Sequence, residues 1–357
     1  MTKCNSLLLG IDIGGTKVAA GLVTISGKVL VSARAAMVTR KTAADGLRAV
    51  TRGVDAVMRD SRADKIPAIG ISVPGWVDTS QGVLLSATSL PCWRNFPLAQ
   101  EIQTRYGKPT HLANDANAAA LAEAAWGAGA GYSSVFYISM GTGIGTGMVL
   151  RHRVYAGRTG AAGEGGHMTI NLRGPVRACG KRGCIEMYAS GTAIARRARE
   201  PLNRSGRRKS QILERAGGKI ADVRTEHVAE AASAGDPIAL EILGEAADHF
   251  AISIWLGSII DLLEPEIIVI GGGIAHLMMS LLGRIRKELQ FWAVNPRWQQ
   301  VPIVSAFYKS DSALVGAAAL CLPRTRLWNS AEFSCRRRFA TAPICGRSQQ
   351  HRWMRGR

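Results

Sequence analysis

Apolar runs alternate with segments of helical period along most of the chain. Leu7 to Ile13 is a nearly unbroken apolar run of strand length that ends on a glycine turn. Val18 to Ile25 and Val29 to Ala36 follow as further strands, with Ser26-Gly27 as the turn between them. Ala43 to Arg59 returns apolar residues at helical spacing, Ala68 to Val73 is a short buried strand closed by Pro74-Gly75, and Leu98 to Tyr106 is again helical. Thr110 to Leu112 predicts a strand, and the alanine-rich stretch Asn117 to Trp126 a helix. A second round opens with the strand Ser134 to Ser139, a loop from Gly141 to Gly147, and the strand Met148 to Arg151. It repeats the opening order of strand, glycine turn, strand. Helices then dominate from Gly191 to Leu263. Glu266 to Ile270 is a strand that runs into Gly271-Gly272-Gly273 and a helix. Val301 to Ala306 is the last strand and Ser312 to Leu320 the last helix. The alternation predicts an α/β fold. After Pro323 no period remains, and the tail reads as disordered.

A chain of 357 residues is too long for one ordinary core and suits two packed domains. Its 47 % hydrophobic and 20 % charged content is that of a soluble globular protein. No signal-peptide pattern opens it. The most apolar stretch, His249 to Leu263, is broken by Asp261 and closed by Glu264-Pro265, so a core helix is predicted rather than a membrane span. A cytoplasmic protein is expected. The seven cysteines do not form a disulfide scaffold. The net charge of +19 is unusual for a metabolic enzyme, and much of it sits in two blocks. Arg324 to Arg357 holds nine arginines against the single acid Glu332, and Arg196 to Lys219 is the second basic run. Such a surface can attract nucleic acid. No helix-turn-helix, zinc-finger or RNA-binding signature accompanies it, so a nucleic-acid function is not expected.

Chemistry concentrates in the turns. Asp12-Ile13-Gly14-Gly15-Thr16-Lys17 follows an apolar strand directly. Glycines let the backbone approach a phosphate, Thr16 adds a hydroxyl donor, and Asp12 can hold Mg²⁺ through water. Gly141-Thr142-Gly143-Ile144-Gly145-Thr146-Gly147 is the second such turn. It lacks the following helix that a dinucleotide fingerprint requires. Two glycine hairpins facing each other predict a clamp on ATP. Gly271-Gly272-Gly273 is a third point of close approach, assigned to the nucleoside end. Asn114-Asp115-Ala116-Asn117 sits between a strand and a helix. Such residues commonly cap helices. Their place at the carboxyl end of a strand also suits a catalytic site, and phosphoryl transfer needs a group to accept the hydroxyl proton. Asp115 is assigned that role. Glu164-Gly165-Gly166-His167 and the run Cys179-Gly180-Lys181-Arg182-Gly183-Cys184-Ile185-Glu186 add carboxylates, an imidazole and two thiols, a zinc-like inventory.

In this order, and together with Pro74-Gly75-Trp76-Val77-Asp78, these motifs resemble the ROK family, named for repressors, open reading frames and kinases. The resemblance runs from Leu7 to about Leu322. It implies the two-domain sugar kinase/Hsp70/actin-like (ribonuclease H-like) α/β fold with an inter-domain cleft. The domains would be 1–117 plus about 307–322, and 118–306, with 323–357 as a basic tail. It implies phosphorylation of a hexose by ATP with Mg²⁺, glucose to glucose 6-phosphate first of all, an N-acetylhexosamine or fructose as the alternative. Asp115 would be the base, and Gly75, Asn114, Glu164, His167 and Glu186 would contact the sugar. Asp12, Gly14, Gly15, Thr16, Lys17, Gly141, Thr142, Gly143, Gly271, Gly272 and Gly273 would serve the nucleotide. His167, Cys179 and Cys184 would hold a structural zinc, and a dimer or tetramer is implied.

Two departures from the family's pattern carry expectations. Where its zinc run begins with cysteine this chain has Arg177, and a guanidinium is not a metal ligand. Three ligands at most remain, so zinc should bind more weakly than in a four-ligand relative, and Arg177 is free to pair with a carboxylate such as Glu186. In Ser89-Leu90-Pro91-Cys92-Trp93, Ser89 and Cys92 stand where many members have Asn and Gly, so substrate choice is expected to vary there. A sugar-sensing regulator without turnover is the other function class. Regulators of this kind carry a winged helix-turn-helix before the first motif, and only eleven residues precede Asp12.

Overall fold

The computed structural model describes residues 7–177, 179–203, 210–251 and 253–322. The expected disorder of 323–357, and residues 204–209 of the second basic block, therefore lie outside the described residues. Along the chain come β1 (Leu7–Ile13), β2 (Lys17–Thr24), β3 (Val29–Ala36), α1 (Ala43–Met58) and β4 (Ile69–Val73). Three short strands follow, β5 (Trp76–Asp78), β6 (Val83–Ser86) and β7 (Arg94–Phe96), then α2 (Leu98–Tyr106), β8 (Thr110–Asn114) and α3 (Asp115–Trp126). The first sheet has the order β3-β2-β1-β4-β8. β1 and β2 form an antiparallel hairpin, and β4 and β8 run parallel to β1. β1 and β4 are buried almost throughout, as strands covered on both faces must be.

The second half rebuilds this plan. β9 (Ser134–Met140) and β10 (Ile144–Leu150) form the hairpin and β11 (Arg153–Val154) extends it. The helices α4 (Glu186–Ala189), α5 (Gly191–Leu202), α6 (Gln211–Arg215), α7 (Thr225–Ser233), α8 (Pro237–Ala251) and α9 (Ser258–Leu263) intervene. β12 (Ile267–Gly271), α10 (Ala275–Ser280), α11 (Leu282–Trp292), β13 (Ile303–Ser305) and α12 (Ser312–Ala319) complete the chain. The order β11-β10-β9-β12-β13 matches the first sheet strand for strand. The span Pro237–Leu263 is long and apolar enough to cross a membrane by composition alone. Phe250, Trp255, Leu256 and Ile259 within it are buried in the core of the second half, and Asp261 accepts from the backbone N–H groups of Val294 and Asn295.

Two alanine-rich helices, α3 and α12, join the halves. Their backbones come so close that a Cβ on Gly316 would lie 1.8 Å from the carbonyl oxygen of Ala118. On the other side of α3, a Cβ on Gly147 would lie 2.3 Å from the oxygen of Ala116. Glu123, fully buried on α3, accepts from the backbone of Ala128, Phe307 and Tyr308 and from the Ser312 hydroxyl, which pins the entry to α12.

The structure redraws several predicted boundaries. β10 starts at Ile144, so only Gly141 to Gly143 form the turn; the remaining glycines are strand residues. α3 starts at Asp115, directly after β8, with no loop between. The small antiparallel sheet β5-β6-β7 has no counterpart in the prediction.

Candidate active site

Between the halves lies a cleft of about 670 Å³. Its lining includes Gly75, Asn114, Asp115, Glu164, His167 and Glu186, together with Gly141, Thr142 and Gly143. Asn114 explains why a carboxylate projects here. Its side-chain oxygen caps α3, accepting from Ala116 at 2.9 Å and Asn117 at 3.3 Å, while its amide donates to the Gly75 oxygen at 3.0 Å. That contact requires Gly75 at φ +94°, with the Ser86 oxygen where a Cβ would stand. Asp115, next in the chain, becomes the first helical residue and faces the cleft. Burial pushes its pKa up from 3.8 to about 6, and the neighbouring charges of Asp12 and Glu164 add to the rise.

Asp12, next to the last residue of β1, accepts from the Ser72 hydroxyl at 3.0 Å. Burial raises its pKa too, against the opposing effects of Ser72 and Lys17. The first glycine turn stands back from the cleft: Gly15 packs on Ser89, and Ser89 lines the cleft. Thr16 and Lys17 are exposed. Cys92 points the other way, its thiol 3.7 Å from the Val38 oxygen beside α1. Of the two departures in that loop, only Ser89 reaches the cleft.

The loop carrying Glu164 and His167 is fixed from beneath. The Thr146 hydroxyl donates to Gly163 at 2.5 Å and accepts from Gly165, and the Trp255 indole donates to the Gly165 oxygen at 2.8 Å. Burial, then the Arg177 guanidinium, lower the pKa of His167, which leaves the imidazole neutral at pH 7. Glu186 accepts from the Ile144 N–H at 2.9 Å, so a carboxylate that lines the cleft braces the end of the second glycine turn.

A second cavity, of about 510 Å³, meets the first at Gly141 and Thr142. Thr192, Arg224, Glu226 and Gly273 line it. Of the three consecutive glycines only Gly273 has open space beside it. Gly271 packs on the Tyr137 hydroxyl, and Gly272, at φ +90°, on the backbone of Met140. Ser72, Thr192, Arg224 and Glu226 escaped the sequence reading. They lie in no glycine motif; only the fold brings Thr192, Arg224 and Glu226 to the second cavity and the buried Ser72 to Asp12.

His167, Cys179 and Cys184 place their donor atoms within 4.8 Å of one another. Arg177 stands among them. Its Nε donates to Glu186 at 2.5 Å, its Nη1 lies 3.2 and 3.3 Å from the two ring nitrogens of His167, and it hydrogen-bonds Cys179. A zinc ion in this cluster would meet that fixed positive charge. Unit charges 4 Å apart repel by about 4 kcal/mol at an effective dielectric of about 20, and a dication doubles this. As arranged, the residues do not fit a resident zinc.

The family model for the ROK family matches residues 8–324. A glucokinase of Thermotoga maritima is 33 % identical over 319 residues, which cover 89 % of this chain and 98 % of that one. The crystal structure of a ROK family glucokinase from Streptomyces griseus, in complex with glucose and AMPPNP, superposes with a TM-score of 0.76 at 33 % identity. It covers 88 % of this chain and 99 % of its own. A ROK family transcriptional regulator, homologous to the E. coli Mlc protein, gives a TM-score of 0.78 at 26 % identity over 92 % of this chain and 80 % of its own.

Proposed function

This chain belongs to the ROK family, and we propose that it is an ATP-dependent kinase that converts glucose to glucose 6-phosphate, with Asp115 as the general base. The observation that carries this reading is the carboxylate of Asp115, held in the cleft with a pKa near 6 beside the second glycine turn. A proton acceptor works best when its pKa lies near the operating pH. The nucleoside of ATP fits the second cavity, by Gly273, Thr192 and Glu226. Its phosphates would cross the Gly141–Thr142 turn, where the two cavities meet, into the first. The neutral imidazole of His167, Glu164 and the amide of Asn114 would orient sugar hydroxyls, which both donate and accept hydrogen bonds. Asp115 then takes the proton of the attacking hydroxyl as its oxygen bonds to the γ-phosphorus and the bond from that phosphorus to the bridging oxygen breaks, with ADP as the leaving group. When bound with ATP, Mg²⁺ would neutralise phosphate charge, and Asp12 would be the carboxylate that holds its water shell. The Asp12 charge raises the cost of ionising Asp115, so a bound cation would favour the charged form of both carboxylates.

The sheets support domains of 1–117 with 307–322 and of 118–306. For a dimer or tetramer, the exposed Leu262, Phe291 and Val294 offer an apolar surface. A cytoplasmic location suits the two substrates. A coupled ADP-release assay across hexoses and N-acetylhexosamines tests the function. Glucose should give the highest kcat/KM. Sugar binding without ADP release from any sugar would replace the kinase by a sensor.

A further inference from the structure

Backbone hydrogen bonds close the loop around Arg177. The N–H of Arg177 donates to Lys181, that of Gly180 to Arg177, and that of Gly183 to Pro175, all within 2.9 Å. Val176 pairs with Arg182, and Thr169 with Cys184. The hairpin thus has its shape without a metal crosslink. Inside it a planar fork of donors reaches three ways, to the carboxylate of Glu186, the ring of His167 and the thiol of Cys179. Lys181 adds a second cation, donating to the His167 carbonyl at 2.8 Å. Glu186 in turn holds the Ile144 N–H of the phosphate turn. One guanidinium therefore ties the sugar-facing imidazole, the sugar-facing carboxylate and the loop that bears the thiols.

We propose that Arg177 stands in this chain where the ROK pattern places a metal: its guanidinium is the positioning cation that sets His167 and Glu186 against the sugar, and the enzyme works without zinc. The chemistry is suited to it. A guanidinium is charged at every physiological pH, it presents five donors in a rigid fork, and it needs no deprotonated thiolate to hold it. A divalent ion would have to displace it from all three partners, with only three protein ligands to gain. That the fixed groups face a sugar rests on the kinase reading; that the cluster is metal-free does not.

The test takes the purified full chain through dialysis against a chelator and then through added zinc chloride. Zinc per chain is measured by elemental analysis, stability by thermal midpoint and sugar binding by the KM for glucose. The natural protein should hold no zinc after the chelator and should keep its midpoint and KM through both treatments. Arg177→Gln should raise the KM for glucose roughly tenfold or more, the scale of a lost charge-assisted contact, with a smaller effect on kcat. Methylguanidine at millimolar concentration should recover part of the loss. Arg177→Lys should recover little, because a point charge cannot span three partners. Arg177→Cys should take up one zinc per chain, regain a low KM when loaded, and lose it to the chelator. One zinc per chain that survives the chelator in the natural protein, or a midpoint that falls when the chelator is added, overturns the proposal, and so does an Arg177→Gln variant with an unchanged KM. If the natural protein does not phosphorylate glucose, the kinase reading fails on its own. Zinc content, midpoint and calorimetric sugar affinity then still decide the role of Arg177.

Discussion

Replacing Asp115 by asparagine separates catalysis from stability, because the two should move in opposite directions. Asparagine keeps the shape and cannot accept the proton. Turnover should fall by ~10²-fold or more, the scale of a general base. The rise of the Asp115 pKa from 3.8 to about 6 also makes its ionised form costly in the folded state. Between those two values the folded protein binds a proton that the unfolded chain has released, so stability falls as pH rises through this window. The gap corresponds to about 3 kcal/mol. Asp115 keeps partial contact with water in the open cleft, so roughly half of this, ~1–2 kcal/mol, is the expected gain at pH 8 on substitution. The assays are coupled ADP release with limiting glucose from pH 5 to 8.5, and urea unfolding at pH 5 and pH 8. In the natural protein kcat/KM should climb with pH and level off above an apparent pKa close to 6. The asparagine variant should lack that limb and should be the more stable protein at pH 8, with roughly half of that advantage left at pH 5, midway through the window from 3.8 to about 6. Wild-type turnover in the variant, or a natural profile that is flat down to pH 5, would refute the assignment of the base. A variant less stable at pH 8 would refute the electrostatic argument.

Gly143→Val should weaken both glucose and ATP binding by calorimetry, because its Cβ would fall 2.4 Å from the Glu186 carboxylate that braces the turn. Gly14→Val, whose Cβ meets only the Lys17 oxygen at 3.3 Å, should spare glucose and weaken ATP; unchanged ATP affinity in both variants removes the phosphate clamp. Gly273→Val has open space beside it, so the thermal midpoint should hold while the KM for ATP rises. An unaltered KM would take the nucleotide out of the second cavity. Glu123→Gln turns one acceptor oxygen into a donor amide among four donors, and should cost ~2–4 kcal/mol by denaturant unfolding. A loss within error of zero would mean that α12 is held by packing alone.

Strands that begin or end on a glycine turn were legible from sequence, as β1 and β3 show. Their apolar content is fixed by burial on both faces, or on one. The run Gly141 to Gly147 was harder because its glycines serve two purposes. Gly141 and Gly143 shape a turn, whereas Gly147 lies in β10 because α3 leaves no room for a side chain. Periodicity does not distinguish a glycine that turns from a glycine that makes way. The start of α3 was placed two residues late for a related reason. Asn114 both ends the strand and caps the helix, so no polar spacer marks the boundary. β5 to β7 are three or four residues long, too short for an alternation to register. In the site, the motif residues around Asn114-Asp115, Gly141 to Gly143 and Glu164 to Glu186 line the cleft, whereas the first glycine turn stands back from it; Ser72, Arg224 and Glu226 are brought in by tertiary proximity that no local pattern encodes. The pairing of Arg177 with Glu186 was open to sequence reasoning as charge against charge; its simultaneous reach to His167 was not.

The close backbone contact of α3 with α12 on one side and with β10 on the other also bears on how the cleft can close. Rotation of one sheet against the other that preserves those contacts must turn about the paired helices, and displacement grows with distance from that line. Asp115 sits at the end of α3, almost on the line, and Glu123 locks the same helix to the chain entering α12. The Gly141–Gly143 turn and Gly273 follow strands of the second sheet and would move with it. On the proposed reading, closure of this kind would move the second glycine turn over the cleft while Asp115 keeps its place.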